Sequence, residues 1–239
     1  MTCEALAHDI QSRLQLETPP VALSFANEAP PNVRSQEEAV PSACALWRQA
    51  EKEVFYADAS AHLNCPIGAM VMGFELPADA QAQLMSVVER MTGCGYLGAE
   101  EVAHIPMVKR QKAGIVYGPL EKFPGTPDVA LLWLSPRQAM LAAEAIKTCS
   151  WADMTPTTAM GRPACAAIPI SLDRTQATLS LGCTGMRTYT EISDDRLLIA
   201  IPGGKLQEFS DSLRTTIEAN DAMQTFYWEQ KARFSPPLN

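Results

Sequence analysis

Among the residue types in this sequence, cysteine has the most chemistry to offer, and four of the seven cysteines stand in matching surroundings. Pro41-Ser42-Ala43-Cys44-Ala45 is echoed by Arg162-Pro163-Ala164-Cys165-Ala166, and Leu63-Asn64-Cys65-Pro66-Ile67-Gly68 by Leu181-Gly182-Cys183-Thr184-Gly185. Four thiolates are soft ligands that suit zinc or an iron–sulfur cluster. Structural zinc sites usually draw on closely spaced cysteine pairs, but twenty residues separate Cys44 from Cys65 and seventeen separate Cys165 from Cys183. A cluster tolerates ligands from distant loops. The expected cofactor is therefore an iron–sulfur cluster of the 4Fe–4S type on Cys44, Cys65, Cys165 and Cys183, with haem or zinc as alternatives. The competing reading is four buried structural cysteines, since a free cysteine most often behaves as a small hydrophobe.

The neighbours of these cysteines fit a ligand-bearing loop. Each sits beside Pro, Gly or Ala, where backbone can approach a bound group, and tight turns can aim N–H groups at a negative centre. Three further residues are candidates for cofactor binding. His62, three residues before Cys65, is a possible ligand or supporting donor, or else a half-buried loop histidine. Arg162, three before Cys165, and Arg187, four after Cys183, would offset the charge of a cluster or hold an anionic substrate; the alternative is a solvated surface arginine. Cys3, Cys94 and Cys149 lack a counterpart in the other half, and Cys94 has no neighbouring base to make it catalytic. No Walker loop, G-x-G-x-x-G, G-x-S-x-G or H-E-x-x-H occurs. Pro202-Gly203-Gly204-Lys205 is either a phosphate-contacting turn or, more commonly, a strand-to-helix joint.

The elements that must position these residues read as a mixed α/β fold. Its two similar halves, 1–115 and 116–239, are related by internal duplication and packed as one compact unit. Pro20 to Phe25 and Pro127 to Leu134 read as apolar strands entered from proline, and Gly114 to Pro119 and Arg196 to Pro202 as strands stopped by it. Helical spacing covers Met1 to Leu16, with Leu6, Ile10 and Leu14 on one face. It recurs over Pro136 to Lys147, behind Ser135 as an N-cap with Pro136 at the first position. Pro77 to Met91 (Leu84, Val87, Val88, Met91) and Leu206 to Asn220 (Leu206, Phe209, Leu213, Ile217) are expected to be equivalent helices, each following a cysteine pair. The tail from Ser235 to Asn239 is expected to fray.

Composition narrows the function classes. With 239 residues, 47% hydrophobic and 19% charged, the chain can bury a large core and is not disordered. A net charge of -8 argues against nucleic acid as a partner, the short Lys109, Arg110, Lys112 run notwithstanding. No apolar run reaches the length that spans a bilayer, and the N-terminus lacks signal-peptide character, so a cytoplasmic location away from membranes is expected. An odd number of cysteines in a reducing compartment is not a disulfide framework.

In the order of its landmarks the sequence resembles a prokaryotic family catalogued as domain of unknown function 169. Those landmarks are Pro19 to Ala22, Cys44 before a helix, Asn64 to Ala69, Gly118 to Glu121, Pro127 to Val129, Ala164-Cys165 and Gly182 to Arg187. The resemblance spans about residues 5 to 215 and implies that the four cysteines act as a set; it names no activity. Ala45-Leu46-Trp47-Arg48 departs from the family pattern, which suggests that Trp47 shapes a pocket. The leading expectation is a redox protein with a redox partner or small-molecule ligand. Four thiolates would make a closed carrier, whereas three would leave an iron open for enzymatic chemistry. The alternatives are a small-molecule or haem-binding protein with a pocket between the halves, lined by Met70, Met72, Phe74, Trp47 and Tyr117, and a structural or regulatory protein with inert cysteines.

Overall fold

The structure, a computed structural model, describes residues 1–110, 112–146 and 161–234. Its centre is one seven-stranded sheet built from β1 (Val21–Ala26), β2 (Arg34–Ser35), β3 (Phe55–Asp58), β4 (Gly114–Pro119), β5 (Val129–Leu134), β6 (Thr178–Ser180) and β7 (Leu197–Pro202), in the order β2-β3-β4-β1-β5-β7-β6. Every pairing is antiparallel except that of β2 with β3. The central pair is β1 with β5, in the register Val21 to Leu131, Ala22 to Ala130 and Leu23 to Val129. Outward from it the neighbours correspond: β4 then β3 on one flank, β7 then β6 on the other. The correspondence is one of topology. The expected division at residue 115 falls inside β4, which pairs with β1 and β3, so one continuous sheet runs through both parts.

Period-two alternation sends the strand side chains to two cores. Val21, Leu23, Phe25, Tyr117, Leu131, Trp133 and Ala200 face one layer, and Ala22, Val116, Ala130, Leu132, Ile199 and Ile201 the other. The second layer packs under α1 (Cys3–Leu14), α5 (Pro136–Ala145) and the first half of α8 (Leu206–Phe234). Leu6, Ile10 and Leu14 of α1 meet Leu206, Phe209 and Leu213 of α8 there, each burial contributing about 1.5–3 kcal/mol. Helix α5 begins as its sequence dictates: Ser135 Oγ accepts from the Gln138 N–H at 3.4 Å, and Gln138 Oε1 accepts from the Ser135 N–H at 2.7 Å. The expected end of this helix at Lys147 lies outside the described residues, as does the tail from Ser235.

The first layer carries α2 (Ala45–Ala50), α3 (Pro66–Val71), α6 (Ala167–Arg174) and α7 (Thr184–Thr190). Helix α4 (Ala78–Gly93) packs against α3 on this side. The expected equivalence of α4 and α8 therefore fails: α8 serves the opposite face of the sheet, and β7 separates it from the second cysteine pair. Trp47 is likewise core, buried against Trp133 with ring centroids 6.2 Å apart, and is not among the residues that line the cysteine cavity. Met72, Phe74 and Tyr117 are also buried core residues, with Met70 packed against them.

Candidate functional site

Each of the four matched cysteines sits where a loop turns into a helix. Cys44 is the N-cap of α2, Cys65 of α3 and Cys183 of α7, while Cys165 lies in the 3-10 turn Ala164–Ala166 that leads into α6. Proline, glycine and alanine around them keep these turns thin. The Cys65 Sγ, for instance, lies only 3.0 Å from where a side-chain carbon on Gly68 would stand. Helix α2 packs on β4 and β1 and α6 on β7, β6 and β5, while α7 packs against α2 and α3 against the turn that leads into α6. All four cysteines thus line a single cavity of about 260 Å³.

The cysteines feel one another electrostatically. Burial pushes the Cys44 thiol up to about 11, a shift opposed by Ser42, whose hydroxyl lies 3.0 Å from the sulfur, and reinforced by Cys65 and Cys183. Cys165 is the most enclosed; burial, then Cys65, Cys183 and Cys44, hold its thiol well above the ordinary value. The Met186 N–H donates to Cys183 Sγ at 3.4 Å. Six cysteines are described and none is in a disulfide. Cys3 is distant, donating to the Gly125 carbonyl, and Cys94 is exposed at the end of α4; Cys149 lies outside the described residues.

The three other candidates are placed differently from one another. Arg162 lines the cavity, its guanidinium 5.0 Å from the centre of the Tyr96 ring and 3.5 Å from Glu101. Arg187 does not line it. Its guanidinium donates to the carbonyls of Leu181 (2.7 Å), Arg196 (3.0 Å) and Ser193 (3.1 Å), tying together the two ends of the α7 segment. His62 is not on the cavity wall either. Its Nδ1–H donates to the Asp58 carbonyl at 2.7 Å, which leaves Nε2 to accept from the Tyr117 hydroxyl at 3.0 Å. Burial lowers His62 to about 4, so the imidazole is neutral. Tyr117 is the link to the cysteines: its phenol is raised by burial first and then by Cys165 and Cys44.

The remaining walls leave little trace in the sequence. Val87 and Met91 of α4, Met186 of α7, Tyr96, Leu97 and Tyr189 complete a largely apolar enclosure. The four-residue step from Val87 to Met91 marks a helix face without saying what it covers, and Tyr96, in a glycine turn, gives no signal. The basic run is neutralised in part, Lys109 by Asp173 at 2.7 Å and Arg110 by Asp128 at 3.0 Å. Pro202 to Lys205 is a joint between β7 and α8: the Gly203 N–H donates to the Asp128 carbonyl, and a Cβ on Gly203 would run into the Pro127 carbonyl.

Residues 9–211 match the family described as Uncharacterised ArCR, domain of unknown function 169, DUF169. The chain belongs to DUF169. All four cavity cysteines lie within the matched residues, whereas most of α8 lies beyond them. A relative outside this chain is the uncharacterized protein MJ0308 of Methanocaldococcus jannaschii, 27% identical over 222 residues that cover 87% of this DUF169 chain and 91% of the relative. No solved structure matches the chain. Among the described residues no helix is long and apolar enough to cross a membrane.

Proposed function

We propose that the cavity between Cys44, Cys65, Cys165 and Cys183 holds an iron–sulfur cluster and that the protein is a redox protein acting on a redox partner or a small ligand. The observation that carries this reading is that four unpaired cysteines, from two separate stretches of chain, line the same cavity. Among the described residues no three Cys, His, Asp or Glu side chains converge closely enough to hold one ion. The reading rests on the ligand type, since four soft thiolates drawn from separate loops are what a cluster takes.

A cluster bound there would supply one-electron transfer. The protein's own contribution is to exclude water and to hold the sulfurs. Cys44 and Cys165, protonated at neutral pH by their burial, would release protons on ligation, as metal binding to thiols requires. The Ser42 hydroxyl and the Met186 N–H are positioned at the Cys44 and Cys183 sulfurs, where donors stabilise thiolate charge.

Protein purified without oxygen is expected to be brown and to contain iron and acid-labile sulfide, and Cys65→Ser or Cys183→Ser to lose both. Folded protein with neither iron nor sulfide would sink the reading, and zinc alone would make the site structural. The apolar wall of Val87, Met91, Leu97 and Met186 favours a second occupant, a small organic molecule or haem. A Soret band in the same sample would select haem. His62 is poorly placed to ligate one, since both its nitrogens are already engaged.

A further inference from the structure

The cysteine cavity changes character at Arg162. Among the described residues that line it there is no Asp, Glu, Lys or His, and Arg162 is the only arginine. Arg162, Leu97, Ile105 and Pro163 also line a second hollow of about 270 Å³, whose other walls include the exposed residues Glu100, Glu101 and His104. The guanidinium thus stands at a partition, with the cysteines on one side and the protein surface on the other. Its ties there are few. Glu101 Oε2 accepts from the Gly98 N–H at 2.6 Å, whereas the Arg162 guanidinium approaches the same oxygen only to 3.5 Å. Tyr96 holds the cation over its ring, a contact that gives the N–H groups no lone pair. With one long partner among the described residues, the side chain, 41% exposed, keeps most of its donor fork for a planar acceptor.

The rest of the wall specifies what that acceptor is attached to. Val87 and Met91, one turn apart on α4, face the cavity, and α4 buries only Ala80 of its 16 residues. The apolar side of this helix therefore covers the cavity rather than the core. An apolar group seated there would shield Val87, Met91, Leu97, Ile105 and Met186 from water together. A volume of about 260 Å³ falls below the roughly 300–1,000 Å³ of pockets for drug-sized ligands, so the occupant is small. One guanidinium balances one carboxylate. A phosphate ester, with about two negative charges, would leave charge uncompensated beside an apolar wall, and an ammonium would meet like charge.

We propose that the cavity binds a small monocarboxylate with an aromatic or branched apolar tail, its carboxylate on Arg162 and its tail against Val87, Met91 and Leu97. The inference rests on the reading of this cavity as a ligand site and names the class of that ligand. Glu101 is then a like charge beside the bound carboxylate. Isothermal titration calorimetry tests the proposal on the full chain purified without oxygen, with benzoate, phenylacetate and isovalerate as probes. At least one of these acids is expected to bind once per chain, at least tenfold more tightly than its neutral amide and than acetate. Arg162→Gln should weaken that acid at least tenfold and abolish its advantage over the amide. Glu101→Gln, which keeps an acceptor for the Gly98 N–H, should tighten it severalfold; circular dichroism establishes that each variant is folded. Acid and amide bound alike overturn the proposal, as does acid binding that Arg162→Gln leaves intact. Failure of all three acids to bind at millimolar concentration overturns it too, and tighter binding of phenyl phosphate assigns Arg162 to a phosphate instead. Iron and acid-labile sulfide measured on the same samples separate the two readings. Acid binding to iron-free protein sinks the cluster alone, and protein that contains iron and sulfide but ignores the acids sinks this inference alone.

Discussion

Cys65 and Cys183 occupy corresponding places, each at the start of a short helix on the same side of the sheet, yet what stands behind them differs. Behind the Cys44–Cys65 arm lies a sealed polar network, Asp58 carbonyl to His62 to Tyr117, with Phe74 against the imidazole at a centroid distance of 4.6 Å. Behind the Cys165–Cys183 arm lies Arg187, only 22% exposed at its side chain and bonded to three carbonyls near the surface. Burial makes the first support strong and intolerant, because every lost partner inside it stays unpaired. The second is an outer clasp whose carbonyls can turn to water. The two arms should therefore respond to perturbation on different scales.

Acid should separate them most. His62 titrates at about 4 in the folded protein against 6.5 for the free side chain, because burial disfavours its charged form. A base with a lowered folded value binds its proton more readily in the unfolded chain. Its contribution to stability is thus complete above pH 6.5, declines as pH falls below that value, and is lost once pH passes below about 4. The full loss is on the order of 3 kcal/mol, since each tenfold weakening of proton affinity is worth about 1.4 kcal/mol. Urea denaturation at pH 7.5, 6 and 4.5 should show this slope, and His62→Gln should flatten it while lowering stability throughout. An equal slope in wild type and variant would place the acid sensitivity elsewhere.

Next in size is a contrast between two glycines. A Cβ on Gly68 would stand 2.7 Å from the Ala43 Cβ and 3.0 Å from the Cys65 Sγ, so Gly68→Ala must displace both the neighbouring loop and the sulfur. Overpacking of this kind costs about 1–3 kcal/mol, and the iron of the proposed cluster should fall with it. At Gly185 the nearest atom would be Tyr189 Cε2 at 3.9 Å, an ordinary contact. Inside helix α7, Gly185→Ala should be neutral or stabilise by up to about 1 kcal/mol. Denaturant midpoints and iron content of the two variants, measured side by side, give the comparison; equal losses would mean that the arms are packed alike.

Much of this frame is legible in the residues. Strands β1, β4, β5 and β7 stand out as apolar runs bounded by proline, and each lies within two residues of its expected bounds. The four cysteines singled out by their matched surroundings all line one cavity. The short strands β2 and β6 are not legible, because two or three residues carry no periodicity. Helix α8 runs past its expected end at Asn220, where the apolar spacing toward the core stops. No glycine or proline intervenes between Gly204 and Pro236 to end it, and that absence of a breaker is the sequence signal for its length. Arg187 cannot be assigned from its distance to Cys183. Its partners are backbone carbonyls delivered from both sides of α7, and carbonyl positions leave no mark on side-chain identity.

Arg187 therefore gives the smallest effect and the sharpest distinction. Arg187→Ala removes donors from the carbonyls of Leu181, Ser193 and Arg196, which should cost about 1–2 kcal/mol, because the freed acceptors lie near water. Lysine carries the charge but not the planar fork, so Arg187→Lys should recover only part of the loss. Amide hydrogen exchange should quicken across residues 181–196 and stay unchanged at Cys65 and its helix. If the arginine acted instead by offsetting charge in the cavity, exchange would hold steady in both arms and the lysine variant would behave as wild type. A clasp needs the geometry of the guanidinium, whereas a counter-charge needs only its sign, and the lysine variant tells the two apart without reference to what the cavity contains.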